Sequence, residues 1–182
     1  MNVRQTPARY HPLSIALHWT MLVLFVAVYA SMELRGFFAK GTAPREAMKN
    51  LHFMLGLLVF TLTWLRLALR ALQPAPAILP TLPRWQAQAS SLMHLALYAL
   101  MIAMPLLGWL TLSAAGKPVP FFGLTLPALI GPDKALAGQF KEVHEAIATL
   151  GYFLIGGHAV AGLYHHYIQR DNTLVRMLPR RG

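Results

Sequence analysis

Four apolar runs, each near the length that crosses a lipid bilayer, constrain this chain more than any other feature. The first is Leu13 to Met32, opened by Pro12 and closed by Glu33, Arg35 and Gly36. The second is Leu51 to Leu65, extending towards Arg70; the third is Leu92 to Ala115, with Pro105 inside it; the fourth is His144 to Ile168. A helix rises about 1.5 Å per residue, so about twenty apolar residues cover the hydrocarbon, and in lipid its backbone must be satisfied internally. The runs predict four transmembrane helices, over about 12–33, 50–70, 91–115 and 143–168, within one domain covering 1–182. The expected fold class is all-α, an integral membrane four-helix bundle.

Composition agrees with a chain that lives mostly in lipid. Hydrophobic residues make up 56% of it and charged ones 12%, with a mean hydropathy of +0.48; a soluble domain carries about 25% charged residues. The net charge of +10 comes from Lys and Arg between the runs and at the chain ends. That placement fits loops meeting anionic headgroups and excludes a soluble basic face for nucleic acid. The absence of cysteine excludes disulfides, iron–sulfur clusters and covalent haem attachment. The first twelve residues are polar and no small-residue cleavage site follows, so the first run is expected to be a retained span.

The connections differ. Residues 34–50 read as a short basic loop, and 71–91, with four prolines, as an extended crossing. Residues 116–143 are expected to lie on the membrane surface, with a short helix near Lys134 to Lys141, and Pro105 to kink the third span. Four spans put both termini on one side. That side, with the 71–91 loop and the adjoining helix ends, holds nine arginines, Arg4, Arg180 and Arg181 among them. The other side holds Arg35, Lys40, Arg45, Lys49, Lys117, Lys134 and Lys141. The positive-inside rule then puts both termini in the cytoplasm.

Seven of the eight histidines fall within or at the edge of a span. A single histidine there is explained by an interhelical hydrogen bond, whereas several at matched depths point to function. His144 and His158, fourteen residues apart, share a helix face at an offset of about 40° and lie about 21 Å apart along the axis. Two sites on one face, near opposite membrane surfaces, suit two stacked b-type haems, each needing a second imidazole at the same depth. The antiparallel topology offers His52 to His144 on the outer side and His18 to His158 on the inner side. His165 and His11 lie seven residues from His158 and His18 and compete with them. His94 is divided between a quinone or propionate contact and a structural hydrogen bond, and His166 reads as surface. Gly56, Gly151, Gly156, Gly157 and Gly162 suit either close helix packing or clearance for a macrocycle. The tryptophans read mostly as interface anchors and the nine methionines as packing. Arg35 and Lys49 outside, and Arg66 or Arg84 inside, are candidate propionate partners.

SIALHW at 14–19, MELRGFF at 32–38, LHFMLGL at 51–57, KEVHEAIATLGYFLIGGHA at 141–159 and HHYIQRDNTLVRMLPR at 165–180 resemble the bacterial cytochrome b561 family, and most of all its superoxide-oxidising branch. The resemblance implies a di-haem b protein of the inner membrane that oxidises superoxide and passes electrons to ubiquinone, without a required protein partner. The family's haem ligands fall, by motif, on His18, His52, His144 and His158. Glu33, Glu145 and His94 are candidate proton carriers for quinol formation. Two other classes share some of these features: a cytochrome b anchor subunit for a dehydrogenase or hydrogenase, and a metal or proton transporter, for which the spans lack paired acids.

Overall fold

The structure, a computed structural model, describes residues 9–179; Arg4, Arg180 and Arg181 lie outside them. Four helices among the described residues are long and apolar enough to cross a membrane. α1 is Pro12–Leu34, α2 Ala43–Leu72, α3 Arg84–Ala114 and α4 Lys134–Tyr164. A 3-10 turn, Arg35–Phe37, follows α1, and a π turn, His165–Gln169, finishes α4. The start of α1 uses Pro12, whose missing N–H costs nothing in a first turn, and His11 Nδ1 accepts the Leu13 N–H at 3.3 Å. α4 starts where Asp133 accepts the Ala135 and Leu136 N–H groups at 2.9 and 3.0 Å, a carboxylate at the positive end of a helix. α3 stops at Gly116, whose φ of +65° lets Lys117 N–H reach Leu112 O and Gly116 N–H reach Ser113 O, both at 3.0 Å.

Several elements begin earlier than the apolar runs do. α2 starts at Ala43 and α3 at Arg84, so much of the expected 34–50 loop and part of the 71–91 crossing are helical. The surface helix expected near Lys134 to Lys141 is the first two turns of α4. The reason is length: the 30 residues of α2 reach about 45 Å, beyond a hydrocarbon layer of about 30 Å, so polar turns protrude from it. Pro105 lies within an unbroken α3. The fold is mostly helical, and the exception among the described residues is a hairpin in the segment expected to lie on the surface. β1, Val119–Phe121, pairs antiparallel with β2, Leu124–Leu126. Phe122 and Gly123 turn the chain with φ of +46° and +86°, the two positive values that a tight two-residue hairpin requires.

α1 packs along α2, α2 along α3 and α3 along α4. α1 and α4 meet through long side chains: Tyr29 donates to Ala148 O at 2.9 Å, and Tyr152 donates to Glu33 at 2.8 Å. A core of Met21, Leu24, Val59 and Met101 fills the middle of the bundle, while Leu57, Leu112 and Val119 bury the hairpin against α2 and α3. Val23 and Phe153, 67% and 73% exposed, show which faces are left for lipid.

Both ends of the described residues lie on one face, where Tyr10 N–H donates to Arg176 O at 3.2 Å. This is the terminal face; the hairpin marks the far face. The tail after α4 crosses the terminal face and is pinned there. Asn172 bonds Leu79 N–H and Ala77 O, Arg176 donates to Pro76 O, and Trp19 Nε1 donates to Met177 O at 2.8 Å.

Candidate functional site

The antiparallel helices bring the expected histidines together in two pairs. His52 on α2 faces His144 on α4 near the far face; His18 on α1 faces His158 on α4 nearer the terminal face. The ring centres are 6.2 Å apart in both pairs, and the ring planes meet at 69° in both. A metal with an imidazole on each side, at bonds of about 2 Å, separates ring centres by about 6 Å. Among the described residues no three His, Asp or Glu gather as a bare metal ion would require. Two imidazoles alone under-ligate a bare ion but complete an iron whose other four positions are filled by a porphyrin. Space is available too: Gly56, one turn from His52 on the same face, is half-buried, yet an added Cβ there would meet nothing within 4 Å. At Gly108 an added Cβ would stand 3.6 Å from the His144 ring, so that ring lies close over α3.

The groups behind the rings differ. Val28 O stands 3.1 Å from His52 Nδ1 and can only accept, so Nδ1 carries the proton and Nε2 is free for a metal. The buried Ser31 hydroxyl donates to the same carbonyl at 2.6 Å. His144 Nδ1 is buried without a hydrogen-bond partner. At the terminal-side pair, Arg66 Nη2 lies 3.0 Å from His18 Nδ1, and Arg66 Nε donates to Tyr98 at 3.3 Å. A third imidazole joins this pair: His94 is 5.4 Å from His158 between ring centres, with Nδ1 2.7 Å from Ser90 O.

The competing histidines are occupied elsewhere. His165 Nδ1 pairs with Asp171 at 2.6 Å, His11 caps α1, and His166 meets the Tyr167 ring edge-on. Burial would raise the Asp171 carboxyl, but bonds from Thr173 and His165 outweigh it and hold the group below the usual carboxylate range. Of the expected propionate partners, Arg66 touches the site, Lys49 is paired with Glu46 at 2.6 Å, Arg84 is exposed, and Arg35 keeps a buried, unbonded Nε. Sequence reading placed Arg66 near the site but missed its contact with His18. The signal was present: Arg66 follows His52 by fourteen residues, the same interval that separates His144 from His158.

Charge divides unevenly between the faces. The far face sets its seven cations against Glu33, Glu46, Asp133, Glu142 and Glu145, and Lys49 and Lys141 are paired with two of these. Among the described residues the terminal face sets six arginines against Asp171.

A four-helix membrane protein with paired, inward histidines belongs to the cytochrome b class, and comparison with known proteins narrows this further. Residues 9–180 match the family model described as prokaryotic cytochrome b561. The chain is 42% identical over 173 residues to cytochrome b561 homolog 1 of Escherichia coli, covering 95% of this chain and 98% of the relative. It is 35% identical to the probable superoxide oxidase CybB of Yersinia pestis, covering 95% and 97%. Cytochrome b561 homolog 2 of Escherichia coli is 30% identical, with 98% and 95% covered. The chain belongs to the prokaryotic cytochrome b561 family. It is an integral membrane electron-transfer protein of a family that binds b-type haem.

Proposed function

We propose that this protein is a superoxide oxidase of the bacterial inner membrane, with both termini in the cytoplasm and the far face outside. His52 with His144, and His18 with His158, would hold its two haem b groups. The observation that carries this reading is the pair of matched 6.2 Å separations at opposite depths of one bundle. The likeness to a probable superoxide oxidase supports superoxide as donor, and the terminal-face arginines support the orientation.

When bound, haem supplies a one-electron store at each pair. Two superoxide ions each give one electron at the far face and leave as O2; with two protons, the two electrons convert one ubiquinone to quinol. The chain's part is to hold the imidazoles, exclude water and deliver charge. Val28 O fixes the His52 ring, and the mid-bundle core keeps the space between the pairs dry. Of the three candidate proton carriers, His94 is the one that reaches a histidine pair; Glu33 is bonded to Tyr152 and Glu145 is paired with Lys141. The near balance of charge on the far face makes long-range steering of superoxide weak, leaving Arg35, Lys40, Arg45, Lys117 and Lys134 as its cations without an ion-pair partner among the described residues. Turnover needs the bilayer and ubiquinone and no protein partner.

The test is spectroscopic. Purified protein is expected to show reduced-minus-oxidised b-type bands that superoxide reduces, superoxide dismutase protects from reduction, and ubiquinone reoxidises. If superoxide leaves the bands oxidised while a dehydrogenase reduces them, the protein is an anchor subunit instead.

A further inference from the structure

Arg66 is a cation inside a membrane helix, and none of the ion pairs among the described residues includes it. Its guanidinium meets an imidazole and a phenol, His18 and Tyr98, and is half-buried between them. An uncompensated charge there is costly and needs a reason. The far pair provides the contrast. Its α2 histidine backs onto a neutral carbonyl, which draws on the Nδ1 proton and makes the ring a stronger electron donor to a bound metal. A guanidinium has no acceptor and cannot draw on a ring N–H as the carbonyl does; its positive charge beside the ring disfavours the more highly charged, oxidised metal in a medium of low dielectric constant.

We propose that Arg66 is a positioning residue that sets the direction of electron flow, its guanidinium beside His18 making the terminal-side centre the more oxidising of the two. This rests on the two-haem reading above and deepens it: electrons entering at the far pair run downhill to the terminal-side pair. Arg35 also bears on His52, but without a hydrogen bond to it, and Coulomb interaction falls with distance. The α2 spacing is part of the device. One face of α2 carries His52 at one depth and Arg66 at the other, just as one face of α4 carries His144 and His158.

The experiment is an anaerobic redox titration of the b-type bands in the full chain, with His52→Ala identifying the terminal-side centre. Arg66→Gln is expected to shift electron sharing about tenfold towards the far centre, about 59 mV for a one-electron couple. Arg66→Lys keeps the charge and is expected to keep the wild-type midpoints; a shift as large as that of Arg66→Gln overturns charge as the cause. Faster haem loss with unmoved midpoints also overturns the proposal, being the mark of a guanidinium spent on a haem carboxylate. If Arg66→Gln fails to hold the terminal-side haem, Tyr98→Glu sets a carboxylate against the intact guanidinium and is expected to give the same shift; no shift there overturns it. Absence of b-type bands in the wild type sinks both readings, whereas two bands with unmoved midpoints sink only the role of Arg66.

Discussion

At the far pair His52 backs onto a backbone carbonyl and His144 Nδ1 onto no partner, while at the terminal-side pair His18 faces a guanidinium and His158 a third imidazole. The facing rings are matched in separation and angle. The ends that enclose them are also built differently. A hairpin buried by Val119 closes the far face, where cations and carboxylates nearly balance. A strap of returning tail, pinned largely through backbone carbonyls, closes the terminal face, where arginines stand almost without acids. The same ligand chemistry can thus be set to different tasks by what lies one bond further out.

The largest effects come from removing one member of a pair. His52→Ala and His158→Ala are each expected to lose about one haem per chain, read as pyridine haemochrome per protein, because each deletes one of the proposed ligands. The comparison breaks if His165→Ala, which removes a side chain bound to Asp171, loses a haem as well. Gly151→Ala comes next. A Cβ there collides with the Tyr29 hydroxyl that ties α1 to α4, and overpacking of this kind costs about 1–3 kcal/mol, read as a lower midpoint of thermal unfolding in detergent.

Asp171→Asn tests the terminal strap. The folded Asp171 lies below its ordinary value of 3.8, so its contribution is present above that value and is lost as pH falls through the lower, folded one. Stability of the wild type is therefore expected to fall at acid pH by about 1–2 kcal/mol more than that of Asp171→Asn, in thermal melts across the acid range. Ser31→Ala is the smallest. It removes one bond to Val28 O, worth about 1 kcal/mol, and leaves His52 as that carbonyl's one side-chain partner, so the far-centre midpoint is expected to fall slightly while the other stays.

Four spans, antiparallel order and the facing of His52 with His144 and His18 with His158 were all legible in the chain, because helical rise converts residue intervals directly into depth. Apolar runs mark where lipid begins, not where a helix does, so the polar first turns of α2 were read as a loop and those of α4 as a separate surface helix. The hairpin was hidden because its turn uses Phe122 at positive φ, where Asn or Asp would have announced it. His94 had a depth but no partner in sequence, since its neighbour lies across the α3–α4 contact. Arg66 was read as a candidate propionate partner, and its contact with His18 was missed because a count of cations ignores which face of the helix each one occupies.

The strap has a consequence for how the protein is made. Trp19, the neighbour of His18, is seated by Met177, and Arg9 by Leu178 and Pro179, so the first helix is finished by residues that follow the fourth. The far pair needs only α2 and α4 across the bilayer, whereas the seat of His18 also needs the segment after α4. On the two-haem reading, the terminal-side centre is expected to depend on that segment and the far centre not to. Cell-free translation into nanodiscs is expected to load two haems in the full chain and only the far one in released chains truncated after Gln169.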